Sequence, residues 1–144
     1  MNVFDVIGPV MIGPSSSHTA GAARIGNMAG ALLPGNPVRA FIGLHGSFAK
    51  TGQGHGTDKA LTAGILGMLP GDIRIRNSLT LAKEAGLSVT FEEVEIDGAH
   101  PNTARITLWN QQGESVTVQG ASIGGGEILI TRIDGMAVEI SGNL

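Results

Sequence analysis

The chain has 144 residues, 42% hydrophobic and 15% charged, which suits one globular domain with a real core and excludes a disordered segment. Its net charge of −3, with nine Lys and Arg scattered along it, gives no basic stripe, and 3% aromatics without tyrosine give no stacking platform, so nucleic acid is not an expected partner. With no cysteine it offers neither a disulfide nor a thiolate for zinc or iron–sulfur, so any such metal must be ligated by another chain.

In chain order, residues 3–7 read equally as a short helix or a strand. The start, "MNVFDVIGPVMIGP", lacks a basic n-region and a cleavage site, and no apolar run approaches the ~18 to 20 residues of a membrane span, so a cytoplasmic protein is expected. Pro14 to Ser17 reads as a loop, with Ser16 or Ser17 capping a helix that runs to about Leu33. Ala22, Ile25, Met28, Ala29 and Leu32 form its apolar face, and its Ala and Gly content implies close packing on a neighbour. "VRAFIGL", residues 38–44, reads as a strand and "GSFAKTGQGHG" as a loop or short turn. Thr57 or Asp58 caps a second helix reaching about Leu69 before Pro70 and Gly71. Asn77 or Ser78 opens a third, to about Ala85, with Gly86 at its end. From Leu87 the pattern alternates: "LSVTFEEVEI", "ARITLWN", "SVTVQGASI", "EILITRI" and "AVEI", with "NQQGES" a hairpin turn. Helices in the first half and strands in the second predict an α+β domain over residues 1–144, its helices packed on a largely antiparallel sheet.

Four segments carry residues with chemistry. At the first helix start, Ser15, Ser16, Ser17, His18 and Thr19 combine hydroxyls and an imidazole with unpaired backbone N–H groups, a cradle for a carboxylate or phosphate. The plainer reading is one capping serine with the others solvated. In "TGQGHGTDKA", His55 stands between glycines ahead of a helix N-terminus, where the neutral imidazole is favoured and suits a general base. A histidine in a flexible turn explains the same residues. The spacing lacks the Walker order, which weakens a nucleotide reading. In "DGAHPNT", Pro101 holds His100 extended and Asn102 and Thr103 offer polar ends at a strand start, or form an ordinary polar turn. "ASIGGGE" forms a bulge or a backbone nest for an anion. His45 reads as structural, and Asp58 and Lys59 either pair or help start their helix. No HExxH or GxSxG motif supports a hydrolase.

"GPSSSHTAG", "GHGTDKA", "HPNT" and "SIGGG", in this order over nearly the whole chain, resemble the beta chains of the iron–sulfur-dependent (type 2) L-serine dehydratases, or L-serine deaminases. The resemblance implies half of a cytoplasmic lyase of serine catabolism, converting L-serine to pyruvate and ammonia. It implies a cysteine-bearing alpha chain that holds a [4Fe–4S] cluster, and a heterodimer whose beta half is inactive alone. Ser15, Ser16, Ser17, His18 and Thr19, with His100, Asn102 and Thr103, then face substrate and cluster, and His55 is the base; this chain ligates no metal. The domain should resemble the allosteric substrate-binding domain of some phosphoglycerate dehydrogenases. Two features depart from the pattern. Many family members continue into an ACT regulatory domain near where this sequence stops, and some carry a second histidine at the position of Gly56. The rival reading is a regulatory domain that binds a small carboxylate or amino acid without catalysis, and a third is a scaffold that completes its partner's fold. Self-association is also expected, from edge strands and small-residue helices.

Overall fold

The computed structural model describes residues 13–50 and 56–142, with side chains described from Thr19 onward. The expectation for residues 3–7 lies outside them. Helix α1 spans Gly13–Leu32, then β1 Pro37–Gly46, α2 Ser47–Lys50, α3 Thr57–Ile65, a 3-10 turn Ile73–Asn77, and α4 Ser78–Glu84. Strands β2 Ser88–Glu93, β3 Asn102–Asn110, β4 Ser115–Gly124, β5 Glu127–Ile133 and β6 Met136–Gly142 follow. They form a six-stranded sheet in the order β2-β1-β3-β4-β5-β6. The β1–β2 pair is parallel and the other four are antiparallel, so the α+β expectation with a largely antiparallel sheet is met.

Strand alternation decides which face of the sheet is buried. Ala40, Ile42 and Leu44 of β1 align with Ala104, Ile106 and Leu108 of β3 and with Val116 and Val118 of β4, all buried. Ile25 of α1, Phe48 of α2, Leu61 of α3, and Ile128 and Ile130 of β5 belong to the same core. Full burial of side chains of this size contributes about 1.5–3 kcal/mol each. The opposite face carries polar pairs instead. The hydroxyls of Thr107 and Thr117 are 3.0 Å apart, and Arg39 stacks over Trp109 at 4.0 Å from the ring centroid.

Helices α1 and α3 run side by side in the same direction. A Cβ placed on Gly30 would sit 3.0 Å from the Ile65 carbonyl oxygen, and one on Gly64 would collide with the carbonyl of Ala23. Glycine at these positions lets the two backbones touch. Asn27 of α1 fastens the contact, its Nδ2 donating to the carbonyls of Gly64 (2.9 Å) and Met68 (3.0 Å).

Several boundaries differ from the sequence expectation. Helix α1 begins at Gly13, so Pro14–Ser17 is its first turn and not a loop, and neither Ser16 nor Ser17 is the N-cap. Proline is accommodated in a first turn, where its missing N–H has no intrahelical partner to lose. Leu32 is exposed and Leu33 is buried in its place, following Ala22, Ile25 and Ala29 around the helix. Helix α3 is preceded by Gly56 in a left-handed conformation, so its N-cap is Gly56 and not Thr57 or Asp58. It stops at Ile65, well short of Leu69. Gly67 takes φ +94°, its N–H donates to Gly64 O, and the N–H of Met68 donates to Ala63 O. That pair of bonds closes a helix through a left-handed glycine, and the proline at position 70 is not needed. Gly86 ends α4 in the same way, with Leu87 donating to Ala82 O and buried behind it. The expected loop after β1 contains helix α2, anchored by the buried Phe48. Ahead of α4, Asp72 caps the 3-10 turn and pairs with Arg74, whose hydrogen bonds hold its carboxyl down at about 2.

Candidate functional site

The sheet register brings two of the four motif segments, with the end of β1, to one end. Gly46, at the end of β1, pairs with Asn102, at the start of β3, and the N–H of Ser47 donates to Pro101 O at 2.7 Å. Gly46 has φ +63°, and a Cβ there would meet Pro101 backbone within 3.0 Å, so only glycine lets "HPNT" lie this close to β1. Thr103 pairs in turn with Ala121 of β4, which places "SIGGG" beside "HPNT".

Helix α1 brings the remaining segments to the same end. Its Gly21 lies directly over Ser122, leaving the serine hydroxyl buried and without a hydrogen-bond partner among the described residues. One turn on, Arg24 donates to the carbonyl of Gly126 in the β4–β5 turn. The start of α3 lies beside the second turn of α1: a Cβ on Gly56 would be 3.9 Å from Thr19 Oγ1, its nearest neighbour among the described residues. The α3 dipole therefore points its positive end past Thr19, which favours a carboxylate there.

The predicted site residues fall into three groups. Thr19 stands beside the α3 start. The side chains of Ser15, Ser16, Ser17 and His18, and the whole of His55, lie outside the described residues; the backbone of 15–18 is the first part of α1. The third group, His100, Asn102 and Thr103, is seen in full. His100 is exposed and its Nδ1 accepts the N–H of Asn102 at 3.0 Å, which leaves Nε2 as the atom available outward. Thr103 is buried, its hydroxyl donating to His100 O at 2.7 Å, so it braces the turn. His45 is also a brace, with Nδ1 accepting the N–H of Ile96 at 3.1 Å.

Two of the alternatives left open by the sequence are narrowed by the geometry. Asp58 is buried in the first turn of α3, where its Oδ1 accepts the N–H of Lys59 at 2.8 Å, settling the earlier alternative in favour of a helix-starting role. In "SIGGG" a register shift between Ser122 and Gly124 marks the bulge, and Gly124, Gly125 and Gly126 all have positive φ. Among the described residues no group of three His, Cys, Asp or Glu could hold a metal, and no helix is long and apolar enough to cross a membrane.

The family model described as serine dehydratase beta chain matches residues 2–132. The chain belongs to that family. It is 48% identical over 142 residues to the probable L-serine dehydratase beta chain of Bacillus subtilis (strain 168), covering 99% of this chain and 64% of that protein. The L-serine dehydratase beta chain of Peptoniphilus asaccharolyticus is 49% identical over 142 residues, covering 98% of this chain and 64% of that protein. Against L-serine dehydratase TdcG of Escherichia coli (strain K12), identity is 30% over 155 residues, covering 90% of this chain but 33% of that protein. The chain thus spans about two thirds of the two beta chains and a third of the longer relative, a serine dehydratase beta-chain unit within proteins that have more to them.

Proposed function

We propose that this chain is the beta half of an L-serine ammonia-lyase, forming pyruvate and ammonia from L-serine with a cysteine-bearing alpha chain. The observation that carries the reading is the convergence of segments from α1, β1, β3, β4 and the start of α3 at one end of the fold. The α3 start there attracts the substrate carboxylate, and His100 Nε2 and Asn102 lie on the turn ahead of β3. His55, next to Gly56 at the α3 start, is assigned the α-proton, which a neutral imidazole within reach can accept.

The chain's donor set does not fit an iron–sulfur cluster, since it has no thiolate in 144 residues. The [4Fe–4S] cluster therefore belongs, in this proposal, to the partner, and the beta half contributes binding and proton transfer. A heterodimer follows from that division, and the proposal places it in the cytoplasm. "HPNT" and "SIGGG" stand side by side at that end, where His100 is exposed and a second subunit could complete the surface.

The test is anaerobic reconstitution with the cysteine-bearing partner and an assay of pyruvate from L-serine. Turnover should require both chains. Turnover by the partner alone at the full rate would leave this chain a scaffold, and tight L-serine binding by this chain at its motif end without turnover in the pair would favour the regulatory reading.

A further inference from the structure

The β4–β5 turn at the motif end has little stiffness of its own. Gly124, Gly125 and Gly126 follow one another at positive φ, and glycine loses more backbone freedom on ordering than any other residue. Gly124 and Gly125 are exposed, and a Cβ on either would meet nothing within 4 Å, so a ligand has access to bare backbone there. Gly126 differs. It is buried, and a Cβ there would run into the guanidinium of Arg24, which donates to the Gly126 carbonyl.

Helix α1 seats this segment at both of its ends. Gly21 lies on Ser122, where the register shift begins, and a Cβ on Gly126, where the turn closes, would touch both Ala20 and Arg24. Ala20 and Arg24 are one helical turn apart and share a face of α1. A guanidinium donating to a carbonyl makes a charge-assisted bond, stronger than a neutral one, and this one is half-buried. We propose that Arg24 is a positioning residue: it fixes the glycine turn, and the turn so fixed sets how tightly the site takes L-serine. The inference rests on the lyase reading and deepens it. When the tie is cut, only a fraction of the molecules holds the turn in its binding shape. Apparent affinity then falls by that fraction, while the chemistry of the bound state is unchanged.

Two measurements on the same variants test it. In the isotope-labelled chain, the NMR backbone order parameters of Gly125 and Gly126 should be about 0.85 in wild type and fall below about 0.6 in Arg24→Met, with the strands unchanged. With the cysteine-bearing partner, Arg24→Met should raise the KM for L-serine about tenfold while kcat stays within about twofold. Arg24→Lys keeps the charge but loses the planar fork, and should fall between the two in both measurements. Arg132→Met is the control for a purely structural effect. Arg132 donates to the Gly135 carbonyl at 3.0 Å, the same kind of bond at the opposite end of β5, and its loss should leave KM unchanged. Order parameters that do not move in Arg24→Met overturn the proposal, and so does a fall in kcat with KM unmoved. A KM raised equally by Arg132→Met overturns it too, since loosening any turn would then do the same. No pyruvate from the wild-type pair would overturn the lyase reading and this inference with it; pyruvate at the wild-type KM in Arg24→Met would overturn this inference alone.

Discussion

Replacing His55 by Ala in the reconstituted enzyme should lower kcat for pyruvate formation by about 10²- to 10⁴-fold, the usual contribution of a positioned general base. The KM for L-serine should change little, because the proposal assigns the substrate carboxylate to the α3 start and not to the imidazole. Helix α3 begins at Thr57 with Gly56 as its N-cap, and a circular-dichroism spectrum matching wild type checks that the fold survives the change. Free imidazole in solution should restore part of the rate. A variant within a few-fold of wild type would remove His55 from the reaction and move the base to another residue, with His100 the next candidate.

The second large effect concerns the contact that brings two of the motifs together. Gly64→Ala would drive a methyl into the carbonyl of Ala23 and toward the N–H of Asn27. Neither is a flexible side chain that could swing away, so α1 and α3 must separate. Overpacking of this kind costs about 1–3 kcal/mol, whereas Gly→Ala in an open helix gains about 1 kcal/mol. The net sign is therefore diagnostic. A collision with rigid backbone belongs at the upper end of that range, so a net loss of about 2 kcal/mol and a fall in Tm of roughly 6–7 °C are expected, measured by calorimetry. Partner-dependent activity should fall further than the stability loss alone explains, because the Asn27 bonds to Gly64 and Met68 loosen and the α3 start moves away from Thr19 of α1. An unchanged or raised Tm would mean that the helices do not touch along this face.

Much of the strand half was legible because its signals are local. Asp134 and Gly135, both at positive φ, make the two-residue turn between β5 and β6. Asn110 accepts the N–H groups of Gln112 and Glu114 to hold the hairpin read from "NQQGES". The helix half was less legible where two signals competed. Gly67 and Pro70 both announce the end of α3, and the glycine wins because its left-handed backbone closes the last turn three residues before the proline acts. A serine-rich segment reads as a cap, yet α1 takes in Gly13 to Ser17. The motifs could be read singly and matched as an ordered set to a family. Their convergence could not, because it depends on non-local facts: the parallel course of α1 and α3, and the β1–β3–β4 order that sets Gly46, Asn102 and Ala121 side by side.

Hydrogen–deuterium exchange on this chain, with and without the cysteine-bearing partner, addresses the convergence directly. Protection on complex formation should appear in peptides covering residues 13–21, 46–58, 100–103 and 121–126, and not in those covering 109–114 at the far end of the sheet. Protection confined to 109–114, or to the β6 edge, would show that the partner docks elsewhere and that the assembled segments serve no shared active site.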